Sequence, residues 1–282
     1  MAAELSVIHT TYNRANVLDT ILHRFELNAR RHPEIDFELV ILDGGSSDRT
    51  QEICKTYLDR ETFKLKYIYV GFGRWVNPSL PRNIALRHAV GRIGCTTDAD
   101  HWIGQDFVRG AYRAFRNDAE DAVSIGMVWD TNEARKLPWP KVNEALINSC
   151  RDDLNILRLY DTFGVPIREP KSGWIVAYPM QTVFQIGGYD EDFAGSHWAR
   201  DEDIFLLKLQ YYLQTTKEHH LEFSAFHLCH DVTQFGITRD SRYNHQIFVS
   251  KCEDMDRTIQ EGKNHAWGQI PSGVEYYVKQ NF

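Results

Sequence analysis

No Cys-x-x-Cys pair occurs in this chain: its five cysteines, Cys54, Cys95, Cys150, Cys229 and Cys252, are scattered and odd in number. That excludes a paired-cysteine zinc site and a closed disulfide framework, and it fits a reducing compartment. No apolar run reaches the roughly 18 residues that a membrane helix needs. The N-terminal MAAELSVIHTTYNR enters a strand pattern without a basic n-region, so the expectation is a cytoplasmic protein with neither signal peptide nor membrane span. Basic blocks are missing too. With 32 Lys and Arg against 39 Asp and Glu, the net charge is -7 and no long run of one sign stands out, which argues against charge-driven binding of nucleic acid. Internal repeats and low-complexity tracts are also absent.

What is there is an ordinary globular composition, 43% hydrophobic and 25% charged over 282 residues, enough to bury a substantial core. The first hundred residues alternate strand and helix signals. Strand patterns at Leu5 to Thr11, Phe37 to Leu42, Leu65 to Val70 and Ile93 to Thr96 are separated by helical spacing at Asn13 to Asn28, Arg49 to Tyr57 and Pro81 to Val90. Asp48 is the expected N-cap of the second helix. This rhythm predicts an α/β fold, a Rossmann-like, mostly parallel mixed sheet flanked by helices. Residues 1–105 and 106–250 read as two halves, with 251–282 as a C-terminal tail, all in one domain. In the second half strands are expected at Ala122 to Trp129, Gly173 to Tyr178 and Leu221 to Cys229. Helices are expected at Asp106 to Arg116, Met180 to Ile186 and Asp203 to Leu213, with further charged, helix-prone residues over Val142 to Thr162.

Three polar clusters, TTYNR, DGGSSD and TTDAD, each follow a strand. In parallel sheets ligands sit beyond the carboxyl ends of the strands, so three clusters sharing one edge would form one site; the alternative for each is an ordinary turn, which Gly, Ser and Asp favour. Asp98 and Asp100, one residue apart in an extended segment, would point to the same side.

Taken in order, SVIHTTYNR, ELVILDGGSSDRT, NPSLPRNIALRHAVG and TTDAD resemble the nucleotide-binding half of GT-A glycosyltransferases, in particular inverting family 2. GGYDEDF, ARDEDIFLLKL and FHLCHD look like acceptor-side motifs, the last similar to β-1,4-galactosyltransferases. The resemblance implies a metal-dependent transfer of a sugar from a nucleoside diphosphate sugar, a UDP-sugar, to a hydroxyl acceptor. It places Thr10, Thr11, Tyr12, Arg14, Asp43, Arg82, Asp98 and Asp100 around the donor, with Tyr12 against the base, Asp43 at the base N3-H and Asp98 at the ribose. Mn²⁺ or Mg²⁺ would be held by Asp100, with His230 and His227 as imidazole ligands; hard carboxylate oxygens suit such ions, and Mn²⁺ tolerates imidazole. Two departures stand out: Pro81 replaces the usual alanine before Arg82, and Thr10 stands where many relatives have proline.

An inverting displacement needs a carboxylate to take the acceptor proton. Asp201, Glu202 and Asp203 are the candidates, with Asp201 favoured by register, then Glu202. An acidic cluster at a helix N-terminus is the alternative for some of them. Gly187 and Gly188 resemble a turn that admits the donor sugar, and Trp174, Tyr189, His197 and Trp198 are either sugar platforms or core. A nucleotidyltransferase would show a glycine-rich, lysine-containing loop after the first strand, which TTYNR is not. A non-catalytic sugar-nucleotide or glycan-binding module and a metal-dependent hydrolase stay open.

Overall fold

The structure, a computed structural model, describes residues 3–73, 77–113, 115, 123–130, 175–193, 200–215, 217–228 and 242–282, with the backbone alone considered at 127–130 and 217–222. Outside the described residues lie the expected helix over Val142 to Thr162, as well as Trp174, His197, Trp198 and His230.

Four parallel strands form the centre: β1 (Leu5–Thr11), β2 (Phe37–Asp43), β3 (Lys64–Val70) and β4 (Ile93–Asp98). Crossover helices α1 (Ala15–Arg31), α2 (Thr50–Arg60) and α3 (Ser79–His88) join them. Because successive strand residues face opposite ways, the apolar runs split between two cores. Val7, Leu39 and Ile41 pack with Leu18, Ile21, Leu22 and Phe25 of α1 on one face, whereas Ile8, Val40 and Leu42 meet Ile84 and Leu86 of α3 on the other. Fully burying each of these side chains contributes about 1.5–3 kcal/mol.

β6 (Val123–Asp130), β7 (Val176–Pro179), β8 (Lys217–His227) and the short β5 (His101–Ile103) extend the same sheet beyond β4. The C-terminal β9 (Tyr276–Gln280) adds an antiparallel strand on β3, giving the order β5-β8-β6-β7-β4-β1-β2-β3-β9. The order reverses at β1, whose neighbours are β2 and β4, so the switch-point crevice opens beyond Thr11. The expected mixed, largely parallel sheet is present, and β9 supplies what the tail did not announce in sequence. Arg49, not the expected Asp48, is the N-cap of α2 and makes no side-chain cap bond; the Asp48 carboxylate nonetheless accepts from the Thr50 amide at 3.0 Å and from the Ala15 amide at 2.9 Å, holding the starts of α2 and α1 together.

In the second half, α4 (Phe107–Arg113) and α5 (Met180–Ile186) precede α6 (Asp201–Leu213), α7 (Arg242–Cys252) and α8 (Met255–Asn264). α6 begins two residues earlier than the pattern at Asp203 suggests. Arg200, at φ +86, turns the chain into the helix and puts Asp201, Glu202 and Asp203 in its first turn, where the helix dipole favours negative charge.

Candidate active site

β1 and β2 deliver TTYNR and DGGSSD side by side, with Thr11 in register with Asp43 and its carbonyl accepting from the Gly44 amide at 2.9 Å. Asp43 is fully buried, and its Oδ1 accepts from the Gly45 and Ser46 amides at 3.1 and 2.8 Å while Oδ2 accepts from the Tyr67 hydroxyl at 2.6 Å. Burial raises the Asp43 carboxyl above the usual range, and those hydrogen bonds oppose the rise. Across the gap, the Asn13 amide donates to Ser46 Oγ at 2.8 Å and Asn13 Oδ1 accepts from the Ser47 amide at 2.8 Å. The two loops are thereby one rigid rim, from which the half-exposed Tyr12 rises beside Gly44.

On the other side of β1, Thr10 is in register with Asp98, the last residue of β4. The expected continuous extended segment is instead a turn: β4 ends at Asp98, residues 99–100 bend, and His101 starts β5 on the far side of the sheet. The bend still brings the carboxylates together. Ligand atoms of Asp98, Asp100 and His101 lie within 4.8 Å of one another, close enough for one cation. Two carboxylates and an imidazole are a donor set that suits Mn²⁺. His101 Nδ1 accepts from the Asp98 amide at 3.1 Å, which fixes the loop and puts the ring proton of the neutral form on Nε2, 3.8 Å from Asp98 Oδ2. Metal ligation by Nε2 therefore requires the ring proton to move to Nδ1, at the cost of the hydrogen bond from the Asp98 amide. Burial lowers the His101 pKa and pushes that of the neighbouring, fully buried His9 down to about 4, so burial favours the neutral form of both rings. His227 Nε2 stands 3.6 Å from Asp100 Oδ1, and the Arg14 guanidinium stands 3.7 Å from Asp100 Oδ2. His227, the second imidazole that the resemblance implies, is thus a neighbour of Asp100, whereas His230, the first, lies outside the described residues.

Arg82 ties this edge to the acceptor half. It is 1% exposed on α3 and makes three carboxylate contacts: Nη2 to Asp98 Oδ1 at 2.5 Å, Nη2 to Glu202 Oε1 at 2.6 Å, and Nη1 to Asp201 Oδ2 at 3.0 Å. Its guanidinium lies 5.2 Å from the centre of the Tyr189 ring. Burial opposes its charge, but Glu202, Asp98 and Asp201 outweigh burial and hold it charged. Asp201 and Glu202 are both raised, first by desolvation, with Arg82 pulling them back; Glu202 is pushed up to about 8. Asp203 faces away, paired with Arg200 at 2.9 Å and half-exposed. Three acidic residues in a row thus divide by helical geometry into two that join the cluster and one that does not.

The residue after Arg82 sets the turn that follows α5. Asn83, fully buried, donates to the Tyr189 carbonyl at 2.9 Å and to Glu191 Oε1 at 2.6 Å, and accepts from the Tyr189 amide at 2.7 Å. Gly187 and Gly188, at φ +76 and +66, have a packing reason for lacking side chains. A Cβ on Gly187 would meet the Gly262 backbone at 2.1 Å, and one on Gly188 would meet Asn83 Oδ1 at 2.6 Å and the Trp267 ring at 2.8 Å. The room left by the missing side chains is taken by Gly262, Asn83 and Trp267. Tyr189 is core, stacked on Phe205 at 3.8 Å. Two contributors stand outside the motifs: His101, which directly follows the Asp-Ala-Asp, and Tyr67, whose hydroxyl meets Asp43 from the next strand. An Asp-Ala-Asp-His run was the available signal for His101; nothing local announces Tyr67.

Comparison with known proteins places the fold and the family. The chain is 28% identical over 124 residues to the poly(ribitol-phosphate) beta-N-acetylglucosaminyltransferase TarS of Staphylococcus aureus, covering 44% of this chain and 21% of that protein. It is 27% identical over 225 residues to the validoxylamine A glucosyltransferase of Streptomyces hygroscopicus subsp. jinggangensis, covering 72% of this chain and 50% of that protein. The chain therefore spans half or less of the length of these relatives. In fold it resembles S. aureus TarS 1-349 solved with UDP-GlcNAc (TM-score 0.59, 17% identity, 88% of this chain and 66% of that one). It also resembles the mannosyltransferase PcManGT from Pyrobaculum calidifontis solved with GDP-Man and Mn²⁺ (TM-score 0.60, 16% identity, 93% and 70%). The Glycosyl transferase family 2 profile matches residues 6–168, more than half of the sequence and all of the rim from Thr10 to Asp100, and the chain belongs to that family.

Proposed function

We propose that the chain transfers a glycosyl unit from a nucleoside diphosphate sugar, a UDP-sugar by preference, to a hydroxyl acceptor, with inversion and with the help of Mn²⁺ or Mg²⁺. The observation that carries this reading is the meeting of the Asp98–Asp100 turn with Asp201 and Glu202 around Arg82. In this reading the donor site and the proton acceptor serve one reacting centre. TarS and PcManGT, solved with UDP-GlcNAc and with GDP-Man and Mn²⁺, support the donor class and the ion.

In this reading Tyr12 offers a face to the base, as an aromatic side chain at a strand end can. Asp43 Oδ2, which takes one hydrogen bond from Tyr67, has a second lone pair for a base N-H. Asp98, Asp100 and His101 or His227 would hold the cation, which when bound neutralises the charge that develops on the diphosphate. Arg14, beside Asp100, adds positive charge on the same side. On the acceptor side, one carboxylate of the pair Asp201 and Glu202 takes the hydroxyl proton. The acceptor oxygen then bonds to the anomeric carbon from the face opposite the diphosphate, and the bond to the diphosphate breaks with its electrons. A base with a raised pKa, as burial gives Glu202, is suited to work near neutral pH.

Thermal-shift titration with UDP-glucose, UDP-GlcNAc and GDP-mannose, each with and without Mn²⁺, tests the reading. A metal-dependent rise with at least one UDP-sugar is expected, and Asp100→Ala should abolish its metal-dependent part. Asp201→Asn or Glu202→Gln should retain saturable donor binding and stop release of UDP. No stabilisation by any of the three sugars, with or without the ion, would refute it.

A further inference from the structure

We propose that Arg82 is a positioning residue that makes donor affinity depend on Glu202, by sharing one guanidinium nitrogen between the donor-side Asp98 and the acceptor-side Glu202. This rests on the donor reading above and goes beyond it.

The two carboxylates share one nitrogen and its positive charge. Both contact Nη2, at 2.5 and 2.6 Å, from positions 104 residues apart in sequence, since Asp98 ends β4 and Glu202 lies in the first turn of α6. Nη2 carries two hydrogens, so each carboxylate takes one. Asp201 occupies Nη1 from the buried side. One cation thus serves three carboxylates, in a place where burial makes each contact stronger than in water. Asp98 and Glu202 keep 28% and 24% of their side chains exposed, whereas Arg82 keeps 1%. The carboxylates can turn toward a ligand; the guanidinium cannot leave. Arg82 Nε is buried with no hydrogen-bond acceptor among the described residues, so the guanidinium is not locked into its present set of partners by full satisfaction.

The consequence is reciprocal coupling. When Asp98 turns to a bound donor, it releases part of Arg82 to Glu202, and whatever weakens Glu202's hold on Arg82 strengthens Asp98's. Glu202→Gln replaces the carboxyl that holds Arg82 Nη2 with an amide oxygen, a weaker acceptor that never bears charge, so Arg82 grips Asp98 harder and withholds it from the donor. The direction is diagnostic. Removing a negative charge near an anion site would by simple Coulomb reasoning tighten UDP, whereas sharing through Arg82 predicts weaker binding.

The test is calorimetric titration of UDP and of GDP, each with MnCl₂, into the wild type, Glu202→Gln, Arg82→Lys and the double variant, all first checked for a cooperative thermal transition. Glu202→Gln is expected to weaken UDP by about fivefold or more. In Arg82→Lys, whose ammonium lacks the planar fork, the same substitution should have no weakening effect. Binding in the wild type with unchanged or tighter binding in Glu202→Gln would overturn the coupling, and so would an equal weakening in both backgrounds. If Arg82→Lys does not fold, Asp98→Asn takes its place, and the loss caused by Glu202→Gln should vanish there because the carboxylate that shares Nη2 is gone. Failure of both nucleotides to bind the wild type overturns the donor reading instead.

Discussion

Replacing Arg82 with methionine keeps the length and apolar stem of the side chain and removes the cation that Asp98, Asp201 and Glu202 share. Two unit charges about 4 Å apart at an effective dielectric near 20 attract by roughly 4 kcal/mol, and removing one partner of a buried pair costs about 3–5 kcal/mol. Asp98 and Glu202 are each about a quarter exposed, which brings the expected loss to the lower end, about 3 kcal/mol at pH 8. For a chain of this size that is roughly 6–10 °C in Tm. The loss should depend on pH, and the sign follows from the raised carboxyls. Glu202 is pushed up to about 8 in the folded protein. Between its unfolded value of about 4.5 and 8 the folded state therefore binds more protons than the unfolded chain, and this group's contribution falls as pH rises. Without Arg82 both carboxyls rise further, so the variant should lose stability with pH more steeply than the wild type, by up to about 1.4 kcal/mol per pH unit for each extra proton. Urea denaturation followed by tryptophan fluorescence from pH 5.5 to 8.5 measures this. A loss that is the same at every pH, or no loss at pH 8, would refute the electrostatic account of the cluster.

Asn83→Ala should cost about 2–4 kcal/mol, because it strands the buried backbone amide and carbonyl of Tyr189, and thermal unfolding reads this directly. Gly188→Ala should cost about 3 kcal/mol or more, from strain at φ +66 together with the clash on Asn83 and Trp267; a Tm within about 1 °C of the wild type would contradict it. Tyr67→Phe removes a hydrogen bond to the buried Asp43 carboxylate and should cost about 1.5–3 kcal/mol. If Asp43 meets the base, the same change should also weaken UDP binding in Mn²⁺, which calorimetry would show.

Local patterns in the sequence carried the central fold. Apolar runs of strand length, each followed by a polar cluster and a helical stretch, specify β1 to β4 and α1 to α3, because buried parallel strands and amphipathic crossovers leave those signatures in any context. The same logic puts TTYNR, DGGSSD and TTDAD on one edge from the sequence alone. What the tertiary structure alone decided is how distant charges share space. That Asp201 and Glu202, but not Asp203, reach Arg82 depends on the left-handed turn at Arg200 and on how α6 meets α3. Likewise, Gly187 and Gly188 turn out to serve Gly262 and Trp267, which are some 75 residues away. The pairing of β9 with β3, and the role of Tyr67 under Asp43, also join segments between which the sequence gives no spacing rule. Local propensity depends on neighbours in the chain, whereas these contacts depend on neighbours in the sheet, and for this protein the functional edge is built from the second kind.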